Sequence, residues 1–330
     1  MRENYLSIQY LRAAAALLVV LHHSRNPHPW LFSPLEQFHG FARGVDVFFV
    51  ISGLIMAAIG SREAPIDFAR KRIVRVVPIY WLTTLAAACL LFIKRGLDQD
   101  VIAHVMKSLF FIPQLNPAGE PFPVLPPGWT LNYEMYFYAM FFACLWTRHP
   151  IRNCFLALLG CVVLGQMIQP ADIISVTYTN HLLTEFAAGL VIGRYRREIA
   201  SQPWLACLAP LGAWLLFGSQ HWSMSAAGAT LIVAGALALE SKMRLVPIGK
   251  ELGDASYFIY LSHHFVLGAL LKIWAKLPLS GWPQFISLLA ACTLGSIMVG
   301  LWGHRLIEKP LTTYLNKRLS ARHKLPAVST

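Results

Sequence analysis

The sequence predicts an all-α, polytopic integral membrane protein of about ten transmembrane helices with both termini in the cytoplasm, on three observations. Of its 330 residues, 56% are hydrophobic and only 13% charged, where a soluble domain needs roughly a quarter charged to cover its surface. The apolar residues arrive in blocks of about 17–22, the helix length that crosses a hydrocarbon core of about 30 Å. A soluble bundle would show apolar stripes instead. Finally, with the N-terminus inside, 20 Lys and Arg fall on cytoplasmic segments, seven outside, and Arg12 within the first block. This is the asymmetry that sets membrane orientation, and an odd number of spans would spoil it.

The spans read, in order, 5–23, 44–60, 76–94, 129–147, 153–169, 182–194, 203–219, 221–239, 255–274 and 283–303. The first has the length of a signal peptide, but Arg12 within it and His22-His23 at its end argue against cleavage, and further spans follow at once. Between the third and fourth, segments 107–115 and 121–128 fit no span. The latter reads PFPVLPPG, and its prolines remove donors and restrict their predecessors, so it is expected to fold back over the outer mouth. Residues 1–311 are expected to form one membrane-embedded domain and 312–330 a cytoplasmic basic tail. The sequence contains no soluble domain, long linker or clear internal repeat.

The net charge of +12 does not indicate nucleic acid, because the basic residues sit in short loops between apolar blocks. The six cysteines fall in or beside apolar blocks without CxxC spacing, so they read as small buried hydrophobes; neither disulfides nor a metal site is expected.

Charged groups inside membrane helices are costly and each needs a reason. Arg12 and His23 are eleven residues apart, which is about three turns plus 20° of helix. They therefore share one face, roughly 16 Å apart along the axis, while His22 points about 80° from Arg12. Asp46 enters the second span (GVDVFFVISG) at the level of His23, where a carboxylate orients an imidazole and raises its basicity. Glu134 lies just inside the fourth span (GWTLNYE), and His263 lies in the ninth (YLSHH). On the cytoplasmic side, FARKRIVRVVPIYW places Arg72 and Arg75 one helical turn apart, presenting two guanidinium forks to one phosphate-bearing ligand. The competing readings are an Arg12 that snorkels to headgroups, a basic loop that only anchors topology, and a satisfied core histidine at 263.

Taken in order, these motifs resemble the acyltransferase 3 family of membrane O-acyltransferases. The matching residues are Arg12 and His23, GVDVFFVISG at 44–53, Arg72 and Arg75 followed by VVPIYW, GWTLNYEMYFY at 128–138, LGDASYFIYLSH at 252–263 and IEKPL at 307–311. The form GWTLNYEM is similar to the ExoZ-type branch that acetylates exopolysaccharides. The resemblance implies transfer of an acetyl group from cytoplasmic acetyl-CoA to a hydroxyl of a surface glycan, in the bacterial inner membrane. It implies functional roles for Arg12, His23, Arg72 and Arg75, and places Asp46, Glu134 and His263 at motif positions. Many relatives carry an extra periplasmic domain; here any second acyl-transferring partner is expected to be a separate protein, with polysaccharide-synthesis proteins as further candidate partners.

The expected mechanism has Arg72, Arg75 and Arg12 holding the phosphates of acetyl-CoA and steering its arm upward to His23. Oriented by Asp46, His23 acts as general base or as a nucleophile passing through an acyl-histidine. Glu134 orients the sugar or relays a proton, and His263 lines the path of the arm. Two other function classes compete. A transporter or flippase for a lipid-linked glycan or small anion would also carry intramembrane charges, but no inverted repeat supports it. A structural subunit leaves Arg12, His23 and Asp46 unexplained.

Overall fold

The structure is a computed structural model that describes residues 5–25, 31–96, 98–219 and 221–322, with the side chains of the final helix described to 319. Among these residues it is all-helical. All ten segments expected to span are helical: α1 (Leu6–Ser24), α2 (Gly44–Ala58), α3 (Pro65–Arg95), α5 (Trp129–Cys144), α6 (Pro150–Ile168), α8 (Leu183–Arg194), α10 (Leu208–Gly218), α11 (Trp222–Ala238), α12 (Pro247–Trp274) and α13 (Gly281–Gly303). The other helices are α4 (Gln99–Leu109), α7 (Ile173–Tyr178), α9 (Arg196–Ala200) and α14 (Lys309–Arg322). Five helical stretches, those containing α1, α2, α3, α6 and α13, are long and apolar enough to cross a membrane by length and composition. Their outward faces stay apolar: Ile93 on α3 is 82% exposed, Met167 on α6 78% and Trp302 on α13 64%. Surfaces of that kind belong against lipid.

Two helices begin earlier than hydropathy indicates. α3 starts at Pro65 instead of 76, and α12 at Pro247 instead of 255. Each has proline in its first turn, where the missing N–H costs nothing and φ is already helical. The charged stretches FARKR and GKELGD look like loops to a hydropathy scale but continue these helices as polar extensions. Conversely, α8 has only 12 residues and α10 only 11, or roughly 18 Å of helix for the longer of them. A 3-10 segment, Pro203–Cys207, leads into α10. The boundary expected at 311 falls inside α14, and the tail from 323 onward lies outside the described residues.

Small residues bring α2 and α8 close. A Cβ on Gly53 would strike the Phe186 carbonyl, and one on Gly189 the Val50 carbonyl, so the two backbones pack at glycine distance. Such close crossings hold helices together in lipid, where burial of apolar surface drives nothing. The start of α1 is capped by a distant carboxylate: Glu240 accepts from the backbone N–H of Leu6 at 2.8 Å and Ser7 at 2.9 Å. That satisfies two of the orphan donors at a helix N-terminus and complements its dipole.

The unassigned segments are pinned to one another and to α3. α4 is capped by Asp98, which accepts from Val101 N at 2.7 Å, and the chain then turns through a left-handed Phe111 (φ 58°). Tyr80 of α3 stacks on Phe111 and donates to Ser108 O at 3.0 Å. Gln114 donates to His104 O and Val124 N to Ser108 Oγ, fixing the proline-rich stretch to α4 before a 3-10 turn at Pro126–Gly128 delivers α5.

Candidate active site

Two adjoining cavities collect the intramembrane polar groups. The first is narrow, about 90 Å³, and takes Arg12 from α1, Arg72 and Arg75 from α3, Ser52 from α2 and Glu134 and Tyr138 from α5. Arg12 is buried, and its Nη1 donates to Gln9 Oε1 one turn earlier at 3.3 Å. Arg72 lies over the Phe68 ring, 5.4 Å from its centroid, with Glu63 3.7 Å from its Nη2; its buried Nε has no partner. Arg75 has no hydrogen bond or ion pair among the described residues. Glu134 accepts from Ser52 Oγ at 3.1 Å and from the Tyr138 hydroxyl through a short bond. Three guanidinium groups thus face one space that holds a single carboxylate.

The second cavity is wider, about 570 Å³, and is lined by His22, His23, Asp46 and His264, with Glu120 and, from the proline-rich segment, Phe122, Pro126 and Pro127. The ring of His23 is fixed by its own helix. Its Nδ1 lies 3.0 Å from Val19 O and 3.3 Å from His263 Nε2. A carbonyl can only accept, so a neutral His23 carries its proton on Nδ1 and leaves the lone pair on Nε2. His263 obeys the same logic: its Nδ1 lies 2.6 Å from Tyr260 O, which leaves Nε2 free to accept from His23. The two imidazoles form a chain of defined tautomers, and the His23 ring lines the cavity. His264 completes the cluster, its ring centroid 4.8 Å from that of His23 and its buried Nε2 unpartnered.

The sequence-predicted residues therefore separate into two groups. Arg12, Arg72, Arg75 and Glu134 share the narrow cavity, so Glu134 sits among the arginines and not beside His23. His263, expected along the arm's path, is buried against His23 instead. Asp46 lines the same cavity as His23, but its partners are Glu185, through a side-chain hydrogen bond, and Arg43 at 3.9 Å. The orienting role expected of it falls geometrically to Val19 O and His263. His22 also lines the cavity, with its Nδ1 3.3 Å from Arg25 Nη2.

Three residues escaped the sequence reading. Glu185 is 1% exposed on α8, and a lone carboxylate within LLTEFAAGL was a signal that it needed a partner. His264 was masked by its neighbour His263. Tyr260, which lines both cavities, lies within LGDASYFIYLSH, where nothing in the sequence gave it a role of its own.

For a metal, His23, His263 and His264 form the one set of three ligand-type side chains among the described residues with ligating atoms mutually within 4.8 Å. Tetrahedral zinc sets its nitrogens about 3.4 Å apart, so these rings would have to close in to share an ion. For a phosphate-bearing cofactor, the arginine cavity offers the donors.

A helical membrane scaffold with a cationic cavity opening beside a tautomer-fixed histidine defines a group-transfer site more readily than a pore. The chain matches the acyltransferase 3 family, an acyltransferase domain, over residues 5–301, and it belongs to that family. It is 37% identical over 295 residues to the exopolysaccharide production protein ExoZ of Rhizobium meliloti (strain 1021), covering 82% of this chain and 89% of the relative. No solved structure matches the chain significantly.

Proposed function

We propose that this protein is an O-acetyltransferase of the bacterial inner membrane that moves an acetyl group from cytoplasmic acetyl-CoA to a hydroxyl of an exopolysaccharide or its lipid-linked precursor. In this reading all ten apolar helices span and both termini are cytoplasmic. The arginine cavity then faces the CoA pool and the histidine cavity faces outward. The observation that carries the reading is the division of the site: three arginines in one cavity, His23 in the next, and both lined by Val45 and Tyr260.

The arginines hold the donor's phosphates with charge-assisted hydrogen bonds. The thioester reaches the histidine side, where His23 Nε2 takes the proton of the acceptor hydroxyl as its oxygen attacks the thioester carbon. The carbon–sulfur bond breaks, an ester carbon–oxygen bond forms, and the proton passes from His23 to sulfur to give CoA thiol. Alternatively, Nε2 itself attacks the thioester and an acyl-histidine hands the acetyl to the hydroxyl, with the same net balance. His263 accepts from His23 Nδ1–H and so steadies the imidazolium geometry at either stage.

The testing experiment supplies labelled acetyl-CoA to proteoliposomes holding the purified protein and the producing strain's polysaccharide. Label covalently bound to the polysaccharide is expected. Movement of unmodified glycan across the membrane without covalent label would replace the enzyme reading with the transporter one.

A further inference from the structure

A third cavity, of about 510 Å³, lies between the α5–α6 connection and the end of α8, and shares no residue with the two already described. One wall is cationic. Arg148 and His149 precede α6, Arg152 stands in its first turn, and Arg194 is the last residue of α8. No carboxylate lines the cavity, and among the described residues Arg148 and Arg194 make no ion pair. Arg152 meets Asn153 Oδ1 at 3.4 Å, and the Arg194 guanidinium rests over the Tyr195 ring, 5.7 Å from its centroid. The other wall is apolar, made by Ile151, Phe155, Leu190 and Val191. Outside it the surface stays apolar and aromatic: Trp146 is 68% exposed and Leu156 57%. Tryptophan and tyrosine collect at the headgroup level of a membrane, so Trp146 and Tyr195 mark this end of α6 and α8 as interfacial.

We infer that this cavity binds an anionic phospholipid, with the phosphate held by Arg148, Arg152 and Arg194 and an acyl chain laid along the apolar wall. Basic pockets between membrane helices take anionic headgroups by this combination of charge and apolar surface. The two walls together choose the ligand. A soluble phosphate compound would use the arginines and leave four apolar side chains facing nothing suited to them. A zwitterionic lipid would use the apolar wall but bring its own cation against three others. In the orientation proposed above, the cavity opens to the cytoplasmic leaflet. The inference goes beyond the acyltransferase reading and is independent of it, because these residues take no part in the transfer. Arginines that served only to fix membrane topology would need their charge but not a shared cavity. That difference is measurable.

The test titrates the full-length protein, purified in a neutral detergent, with phosphatidylglycerol or phosphatidylcholine and counts bound lipid by native mass spectrometry. Three forms are compared: wild type, Arg148→Gln/Arg194→Gln, and Lys242→Gln/Arg244→Gln, which removes the same charge from exposed residues of another loop. Wild type is expected to hold phosphatidylglycerol at least tenfold more tightly than phosphatidylcholine. Losing hydrogen bonds to a charged phosphate should weaken phosphatidylglycerol binding by Arg148→Gln/Arg194→Gln about 10- to 100-fold. The Lys242→Gln/Arg244→Gln protein should bind as wild type does. Arg194→Gln alone, expected to fall between wild type and the double variant, guards against a double variant that fails to fold. Equal binding of both lipids by wild type, or equal losses in the two double variants, reduces the arginines to topology anchors and overturns the site. Inorganic phosphate or free CoA displacing the lipid at comparable concentration overturns the choice of a lipid.

Discussion

The arginine cavity and the histidine cavity share walls from α1, α2, α5 and α12, yet they are opposite in character. One is narrow and holds three permanent cations; the other is broad, covered by a proline-rich segment, and lined by three imidazoles, of which His23 has its tautomer set by a backbone carbonyl. Permanent charge suits holding a ligand, because it does not change during turnover. A neutral imidazole with a free nitrogen suits chemistry, because it can accept a proton at one stage of a reaction and return it at the next. The contrast teaches that distance along a helix can divide labour: eleven residues of α1, about 16 Å of rise, separate Arg12 from His23.

The comparison predicts different failures for the two sides. The largest effect is expected from His23→Ala, which removes the proposed base or nucleophile and should lower acetyl transfer by about 10²–10⁴-fold while leaving membrane insertion intact. Residual activity above about a tenth would move the chemistry elsewhere. Next come Arg72→Ala and Arg75→Ala: losing a hydrogen bond to a charged phosphate is worth about 1.5–3 kcal/mol, so each should weaken acetyl-CoA binding about 10- to 100-fold by calorimetry in detergent. Unchanged affinity in both would return these residues to a topological role. His263→Ala leaves the Nδ1–H of His23 with Val19 O alone. Turnover should fall by about tenfold with little change in KM, and His263→Gln, which restores an acceptor, should recover part of it. The smallest effects are expected from His22→Ala and Asp46→Asn. The asparagine can still hydrogen-bond Glu185, so activity should stay within a few-fold, whereas an Asp46→Asn loss as large as that of His23→Ala would place the carboxylate in the chemistry.

Much of this division was legible in the sequence, for a physical reason. Lipid admits few charges, so Arg12, His23, Asp46, Glu134 and His263 stood out against apolar runs, and helical phase paired Arg12 with His23. Phase along one helix cannot report which neighbour a side chain meets. Asp46 therefore looked like the partner of His23 until the close crossing of α2 and α8 at Gly53 and Gly189 gave it Glu185. Hydropathy likewise hid the polar starts of α3 and α12, because FARKR and GKELGD score as loop on a scale that measures transfer to lipid. Tyr260 was invisible for a third reason: its importance lies in where two cavities meet, which is a property of packing.

The most direct test of the divided site measures acetyl-CoA affinity and acetyl transfer on the same purified preparations of His23→Ala and Arg75→Ala. The division predicts that His23→Ala binds acetyl-CoA as the wild type does but transfers nothing, while Arg75→Ala loses affinity and recovers transfer at high donor concentration. If His23→Ala loses affinity as severely as Arg75→Ala, or if Arg75→Ala binds normally and fails to transfer, holding and chemistry are not separated between the two cavities.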